Sequence, residues 1–380
     1  MGLTINSEAT HEADRPSWLM ESAPSTETVF NGRSCLYFGG TSYFGLHADP
    51  GLMAEGIRAW QDLGHGTATS RSGMGTTPLY LQLEQAAAEF FGTDSAAYLP
   101  SGYLSNLAGL KALHEAGEFD VIFIDEHSHF SAFDAALATG APTHTFAHMA
   151  PADLEAMLKI HLQSNQIPLV LSDGLFPTLG QIASVPGIVE VLEPYGGLLW
   201  LDEAHSMGIL GPHGRGVYEH FGLTGARLLS GGTLAKAFGG FGGVIPGSAG
   251  LIRMVMGGQV MAGASAVPPP LAAATLAGIR RVAANPQWRE RLSANGRLLK
   301  KGIRSLGFEV EDSDVPIAAF RFGNQESMKK VHRELLERGI AIQHSHYAGV
   351  GAEGVLRAVV FSTHSPEQIQ RLIEELGRLV

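Results

Sequence analysis

A single lysine, Lys236, stands within residues 228–240, where every other residue is apolar, small or carries a hydroxyl. A lysine in such surroundings is either a surface loop residue, which is the more common case, or a desolvated amine held as a nucleophile. Burial lowers a lysine pKa because the charged form loses its water, and the neutral amine can then form a Schiff base with a carbonyl compound. The second interpretation requires partner groups elsewhere in the chain.

Small polar residues follow the apolar run 96–99 and open a predicted helix. These residues are Ser101, Gly102 and Tyr103. Free backbone N–H groups and the helix dipole make a helix N-terminus favourable for an anion such as phosphate. An ordinary strand-to-helix turn has the same sequence features, so this segment alone does not identify a phosphate site.

An acidic segment, residues 202–205, follows the apolar run 198–201. Asp202 is either a partner for a protonated pyridine nitrogen or a buried aspartate that caps a helix. The same four residue types, Asp-Glu-Ala-His, occur in helicases, but helicases need a phosphate loop ending in Gly-Lys, and this sequence contains no Gly-Lys pair. A cofactor site is therefore the favoured functional interpretation.

Two histidine pairs have a spacing that is found in zinc sites, namely His127 with His129 and His344 with His346. No carboxylate or cysteine completes either set at a familiar spacing, so we expect no metal. A histidine just after the apolar run 121–124 could instead stack on an aromatic cofactor.

The lysine, the aspartate, the helix N-terminus and the histidine together specify pyridoxal 5′-phosphate. The phosphate needs the helix dipole, the pyridine nitrogen needs a carboxylate, and the aldehyde needs the lysine. Each element alone is a weak signal. Their occurrence at successive predicted strand ends makes the combination specific.

These residues must be positioned by strands and helices that alternate from residue 94 onward. The predicted strands are 96–99, 121–124, 143–146, 169–171, 198–201 and 227–229, and the clearest intervening helices are 153–162 and 185–193. Apolar strands that alternate with helices are typical of an α/β fold with a mainly parallel sheet covered on both faces. Because ligands bind beyond the carboxyl ends of such strands, the polar residues above should meet at one edge.

Three regions are predicted along the chain. Residues 1–45 form an N-terminal arm with a strand at 34–38, residues 46–284 form a large cofactor-binding domain, and residues 285–380 form a smaller C-terminal α/β domain. The small domain should contain strands near 317–322, 340–342 and 356–361 and helices at 325–338 and 366–378. Two further helices are predicted at 78–91, capped by Thr77 and ended by Gly92, and at 286–306, capped by Asn285.

Composition restricts the possible partners and compartment of the protein. The net charge of −11 argues against nucleic acid or an anionic membrane as the main partner. The N-terminus lacks a basic, then apolar, signal pattern, and the single cysteine, Cys35, fits a reducing compartment, so we expect a cytoplasmic protein. Charged residues are 17% of the chain, below the usual roughly 25%, which favours an oligomer with a large interface.

From about Tyr37 to its C-terminus, the sequence resembles the α-oxoamine synthases, within the fold type I pyridoxal-phosphate enzymes. The segments that carry the resemblance are 75–79, 101–103 with Asn106, 125–129, 202–208, 211–216 and 232–239. The last two are specific to this family and its near relatives. The resemblance implies a fold type I transferase that binds pyridoxal 5′-phosphate and forms a homodimer.

The resemblance also implies a role for each matching residue. Lys236 would form the Schiff base with the cofactor, Asp202 would bind the pyridine nitrogen, His205 the ring hydroxyl, and His129 would stack on the ring. The remaining cofactor-binding residues would be Ser101, Gly102, Tyr103, Asp173 and Thr233, together with Ser265, which precedes Pro268 and Pro269 and would reach the phosphate of the other subunit. Arg357 and Thr41 would bind substrate, Arg357 through a carboxylate.

The sequence departs from the family pattern at three positions where substrate would lie. Thr41 and Ser42 precede Tyr43 where an asparagine is often found, Pro177 stands in place of a serine, and Gln343 in place of an arginine. The resemblance therefore specifies the cofactor, but not the amino acid or the acyl group.

The implied reaction is decarboxylative condensation of an α-amino acid with an acyl thioester, delivered by coenzyme A or a carrier protein, to give an α-amino ketone. An aminotransferase on the same scaffold is the alternative. A non-catalytic binding protein is disfavoured because Lys236 and Asp202 are both present.

Overall fold

Strands and helices alternate through residues 18–347 and 349–380, which are the residues that the computed structural model describes. The strands are β1 (Glu27–Phe30), β2 (Arg33–Tyr37), β3 (Ser95–Leu99), β4 (Val121–Asp125), β5 (Thr143–Phe146), β6 (Pro168–Asp173), β7 (Leu175–Phe176), β8 (Gln181–Ile182), β9 (Leu198–Asp202), β10 (Leu228–Thr233), β11 (Gly243–Gly247), β12 (Ile317–Phe320), β13 (Ile340–Ala341), β14 (Gln343–Ser345) and β15 (Val355–Val359). The helices are α1 (Pro50–Leu63), α2 (Pro78–Phe91), α3 (Tyr103–Glu115), α4 (Phe130–Thr139), α5 (Pro151–His161), α6 (Val185–Leu192), α7 (Val217–His220), α8 (Ala249–Gly257), α9 (Gln259–Gly263), α10 (Pro269–Ala284), α11 (Gln287–Ser305), α12 (Gln325–Glu337) and α13 (Pro366–Gly377).

The main sheet of the described residues has seven strands in the order β3-β11-β10-β9-β6-β4-β5. Strands β5, β4, β6, β9 and β10 pair in parallel, whereas β11 runs antiparallel to both of its neighbours. The α/β class with a mainly parallel sheet is therefore confirmed. Strand β11 was not predicted, because Gly243, Pro246 and Gly247 interrupt the apolar pattern that marks the other strands.

Both faces of the sheet are covered because its central strands are apolar at nearly every position. Along β4, Val121 and Phe123 pack in one core with α2, α5 and α6, while Ile122 and Ile124 pack in a second core with α3, α4 and α8. Alternate side chains of one strand thus enter opposite layers, as the pleat requires. The predicted strands of this sheet are confirmed to within a few residues.

Two predicted helix caps are corrected. Helix α2 has the predicted bounds and ends at Gly92 in the left-handed conformation, but the Thr77 hydroxyl makes no capping hydrogen bond and is buried without a partner among the described residues. Asn285 lies at the end of α10, where its side-chain amide donates to the Arg281 carbonyl. Helix α11 follows Pro286, whose missing N–H costs nothing at a helix start.

The C-terminal part contains a three-stranded antiparallel sheet, β12-β15-β14, packed against α11, α12 and α13. The predicted helices 325–338 and 366–378 are confirmed as α12 and α13. A separate small sheet joins β1 and β2 to β13, with Leu36 of β2 opposite Ile340 of β13. The division at residues 45 and 284 stays a prediction, and residues 1–17 of the arm predicted at 1–45 lie outside the described residues.

The carboxyl ends of the parallel strands bring the predicted polar residues to one edge. The ladder places Asp173 of β6 opposite Asp202 of β9, and Asp202 opposite Gly231 of β10. Lys236 follows β10 directly. None of the helices in the described ranges is both long enough and apolar enough to cross a membrane.

Candidate active site

Lys236 lies in a tight loop after β10, where its amine faces a cavity of about 980 Å³. The Leu234 carbonyl accepts a hydrogen bond from Gly240 N at 3.0 Å, which closes the loop around the lysine. Burial lowers the pKa of Lys236 to about 8, although the charges of Asp202 and Asp173 oppose the shift. A substantial fraction of the amine is therefore neutral near pH 8 and able to act as a nucleophile or base.

His205 connects Lys236 to a buried tyrosine. Its Nε2 lies 2.7 Å from Lys236 Nζ, and its Nδ1 lies 2.8 Å from the hydroxyl of Tyr43. Burial is the main cause that holds the pKa of His205 well below its usual value, and the positive charge of Lys236 lowers this pKa further. The imidazole is therefore neutral and held by hydrogen bonds on both nitrogens.

The Asp202 carboxylate is oriented through both of its oxygens. Its Oδ2 accepts from Asn106 Nδ2 at 2.7 Å, and its Oδ1 accepts from Ala204 N at 2.9 Å. Asn106 is itself oriented, because its Oδ1 accepts from Trp200 Nε1 at 2.9 Å, and an indole can only donate. The direction of the carboxylate is thus set by a chain of buried hydrogen bonds.

His129 is positioned at the start of α4. Its backbone N donates to Asp173 Oδ1 at 3.0 Å, and its Nδ1 accepts from Ser131 N at 3.0 Å. The ring lines the cavity with Tyr347, whose ring centroid is 5.7 Å away. Burial lowers the pKa of His129, and burial together with the charge of Asp202 raises the pKa of Asp173.

The N-terminus of α3 packs closely against β10. A Cβ atom on Gly102 would come within 2.5 Å of Thr233 Cβ, so only glycine allows this approach. The Thr233 hydroxyl donates to the Gly242 carbonyl at 2.9 Å, and the Ser101 hydroxyl accepts from Tyr103 N at 3.1 Å. These residues form a small polar cradle at a helix N-terminus, but they do not line the cavity at Lys236.

The cavity brings together five of the predicted site residues, which are Thr41, His129, His205, Lys236 and Arg357. Asp173 and Asp202 are buried beside them and influence the pKa of Lys236. Ser265 belongs neither to this cavity nor to the polar cradle at the N-terminus of α3. It is exposed and pairs through an isolated bridge with Ser70.

Arg357 is almost fully buried at the cavity wall, with 6% of its surface exposed. Its Nε donates to the Pro177 carbonyl at 2.7 Å, and its Nη1 donates to Gln343 Oε1 at 2.6 Å. Within residues 18–347 and 349–380, no carboxylate forms an ion pair with it, and burial lowers its pKa. A buried, uncompensated guanidinium is a favourable site for an anionic substrate group.

The residues present fit pyridoxal 5′-phosphate. An amine with a lowered pKa, a fixed carboxylate, a histidine with a lowered pKa on the cavity wall and a glycine at a helix N-terminus lie at strand ends. Among the described residues, no group of three or more His, Cys, Asp or Glu side chains is arranged to hold a metal ion. His127 instead packs on His148, with ring centroids 4.2 Å apart.

Sequence reasoning did not assign a role to Tyr43, Asn106 or Tyr347. Tyr43 and Asn106 stand in or beside segments that match the family, and that was the available signal. Their contacts, with His205 and with Asp202, join residues that are 162 and 96 positions apart. Local pattern cannot predict such pairs.

Comparison with known proteins extends over nearly the whole chain. A model of the family "Aminotransferase class I and II" matches residues 43–376. The chain is 31% identical over 367 residues to the 8-amino-7-oxononanoate synthase of Symbiobacterium thermophilum, covering 96% of this chain and 93% of the relative. It is 32% identical over 370 residues to the serine palmitoyltransferase of Sphingomonas paucimobilis, covering 95% and 87%.

Solved structures of related proteins also match this chain over nearly its whole length. The serine palmitoyltransferase of Sphingomonas wittichii superposes with a TM-score of 0.90 at 29% identity, covering 96% of this chain and 92% of that one. A variant of the S. paucimobilis enzyme with bound PLP and myriocin gives a TM-score of 0.89 at 30% identity, covering 95% and 92%. The likeness therefore includes both the main sheet and the C-terminal part.

Proposed function

Because this chain belongs to the aminotransferase class I and II family and, within it, to the α-oxoamine synthases, we propose that it condenses an α-amino acid with an acyl thioester, with loss of CO₂, to an α-amino ketone. The observation that carries the proposal is the cavity itself. It is lined both by the Lys236 amine, whose pKa is about 8, and by the buried guanidinium of Arg357, which has no carboxylate partner within the described residues. An amino acid offers a proton to the first group and a carboxylate to the second.

Pyridoxal 5′-phosphate, when bound, supplies an electron-accepting ring that stabilises negative charge on the α-carbon of the amino acid. Lys236 would hold the cofactor and, once displaced, take the α-proton on Nζ. Asp202 would keep a proton on the ring nitrogen, because its carboxylate is oriented and ionised groups bind a cationic N–H strongly. His205 would bind the ring hydroxyl, and His129 would cover the ring.

The phosphate would be held by Ser101, Gly102, Tyr103 and Thr233, with Asp173 fixing the backbone of His129. The helix N-terminus favours the anion, and the glycine lets the backbone approach it. Thr41 and Arg357, which also line the cavity, would contact substrate. We further propose the three-part division at residues 45 and 284 and a cytoplasmic location, the latter because a single cysteine fits a reducing compartment.

The reaction is tested by supplying an α-amino acid with and without a panel of acyl-coenzyme A and acyl-carrier-protein donors. Condensation predicts release of CO₂ and free thiol in equal amounts, and a ketone product of matching mass. An aminotransferase would instead require a 2-oxo acid as amine acceptor and would release neither. Turnover that depends on the 2-oxo acid alone would overturn the proposal.

Replacing Arg357 with lysine is expected to raise the amino-acid KM about tenfold or more, with cofactor absorbance unchanged. Arginine binds a carboxylate through two parallel charged hydrogen bonds that a point charge cannot reproduce. The exposed Arg297, which pairs with Asp314, provides the matched control, since Arg297→Lys should leave KM unchanged. Amino-acid affinity that is unchanged in the Arg357 variant would place the carboxylate elsewhere.

An exposed apolar face supports a dimer. Met53, Ile57 and Trp60 recur on one side of α1, and between 50% and 57% of each is exposed. Apolar surface clustered on one helix face marks an interaction site, and a second copy of the chain is the partner that the family favours. In such a dimer the exposed Ser265 would reach the phosphate bound by the other subunit.

Shared sites predict that two inactive variants restore activity on mixing. The variants are Lys236→Ala and Ser265→Asp, the second of which sets a carboxylate against the phosphate. Each mixed dimer would carry one doubly damaged site and one intact site, so random exchange should recover about a quarter of wild-type activity. Subunit exchange is verified by mass spectrometry of differently tagged chains, and no recovery after full exchange would contradict sharing.

A further inference from the structure

Two of the positions where this sequence departs from the family pattern contact the same side chain. The Pro177 carbonyl accepts from Arg357 Nε, and Gln343 Oε1 accepts from Arg357 Nη1. Pro177 stands in the turn between β7 and β8, whereas Gln343 begins β14 beside Arg357 in β15. Separate parts of the fold therefore converge on one guanidinium.

The contact determines which way the Gln343 amide faces. Arginine has only donors, so the amide atom that meets Nη1 must be the oxygen. The amide nitrogen consequently faces away from the guanidinium. Gln343 is exposed and lines the cavity at Lys236, and its amide nitrogen makes no hydrogen bond within the described residues.

Both acceptors on Arg357 are neutral, so they orient the guanidinium without cancelling its charge. Nη2 makes no hydrogen bond within residues 18–347 and 349–380, and no carboxylate there forms an ion pair with Arg357. Holding a flexible side chain in its binding orientation lowers the cost of ordering it when a ligand arrives. The wall thus presents one fixed cation beside one neutral amide donor.

We propose that Gln343 is a positioning residue for the substrate carboxylate: its Oε1 orients Arg357, and its amide N–H₂ adds a neutral donor next to the guanidinium. This inference rests on the proposed function, because the carboxylate is that of the α-amino acid. Arg357, with neutral partners on its Nε and Nη1, matches one carboxylate.

The test compares two substitutions at this position. Gln343→Glu keeps the shape but puts a carboxylate on Arg357, which competes with the substrate, so the dissociation constant for the amino acid should rise by about tenfold or more. Gln343→Leu removes the hydrogen-bond acceptor for Arg357 without adding charge, and it should raise the dissociation constant for the amino acid by only about threefold to fivefold. A purely structural role predicts the opposite order, because glutamate is the closer replacement in shape.

Binding of glycine, L-alanine and L-serine is followed by the absorbance change of the holoenzyme and by calorimetry, without acyl thioester. Gln325→Glu is the matched control, since it adds the same charge to a half-buried glutamine that contacts His346 rather than Arg357. Cofactor absorbance, melting temperature and the KM for the acyl donor should be unchanged in both Gln343 variants.

The results separate this inference from the proposed function. Unchanged amino-acid affinity in Gln343→Glu, or a larger loss in Gln343→Leu, would overturn the inference even if condensation occurs. Normal wild-type binding without CO₂ release from any acyl donor would overturn the condensation, while the order of the two variants would still decide the role of Gln343.

Discussion

Replacing Lys236 with alanine is expected to abolish turnover, with kcat reduced by roughly 10³-fold or more, and to remove the visible absorbance of the bound cofactor. Lys236 is the one lysine beside His205 and Asp202 within the described part of the chain, so the variant lacks the amine that would hold the cofactor. The measurement combines steady-state kinetics with an absorbance spectrum of the purified protein. Retained absorbance together with turnover would refute the assignment.

A second lysine provides the control for this experiment. Burial also lowers the pKa of Lys300 to about 8, but its amine donates to the carbonyl and hydroxyl of Ser313 and lies away from the cavity. Lys300→Met should therefore keep the cofactor absorbance and the turnover of the folded protein. The comparison separates the loss of a buried lysine in general from the loss of the reactive one.

Replacing Asp202 with asparagine is expected to leave cofactor binding largely intact but to lower kcat about 10²-fold or more. An amide cannot keep the ring nitrogen protonated as a carboxylate does. The new amide would also lose one of the two hydrogen bonds of the carboxylate. If its N–H₂ faces Asn106 Nδ2, two donors meet there; if its oxygen faces Asn106, its N–H₂ meets the donor Ala204 N instead. Cofactor content by absorbance and kcat by product formation, measured on the same preparation, test both parts.

Glu203 offers a matched control for the aspartate. It is the next residue, fully buried, and its carboxylate accepts from Val217 N and from the Ser206 hydroxyl rather than facing the cavity. Burial raises the pKa of Glu203 to about 7, so a neutral amide is a mild change. Glu203→Gln should keep most activity, and near-normal turnover in Asp202→Asn would contradict the role of the aspartate.

The sequence predicted the strand ends well because the central strands are continuous apolar runs with polar residues directly after them. Asp202 and Lys236 could be assigned on that basis and from the family resemblance. Strand β11 escaped prediction because its glycines and proline resemble a loop. Asn285 was placed at the wrong helix for a related reason, since an asparagine before a proline fits either the end of one helix or the start of the next.

The contacts that orient the site residues could not be predicted. Each of these hydrogen bonds depends on how separate elements of the fold pack together. They join Tyr43 to His205, Asn106 to Asp202, and Gln343 to Arg357. The position of Gln343 was recognised from sequence as a departure. Its consequence became visible only when the register of β14 and β15 placed it opposite Arg357.

The pairing of β2 with β13 has a consequence for the order in which the chain can fold during synthesis. Phe38 N donates to the Ala341 carbonyl, and Ser362 N donates to the Tyr43 carbonyl, so the segment that carries Tyr43 is held by residues that are synthesised long after it. Contacts of such long sequence separation form late, because the loop between them must first be closed. A growing chain can therefore build the parallel sheet around Lys236 before His205 receives its tyrosine partner, and the hydrogen bonds around Lys236 are complete only after Ala341 and Ser362 have been added.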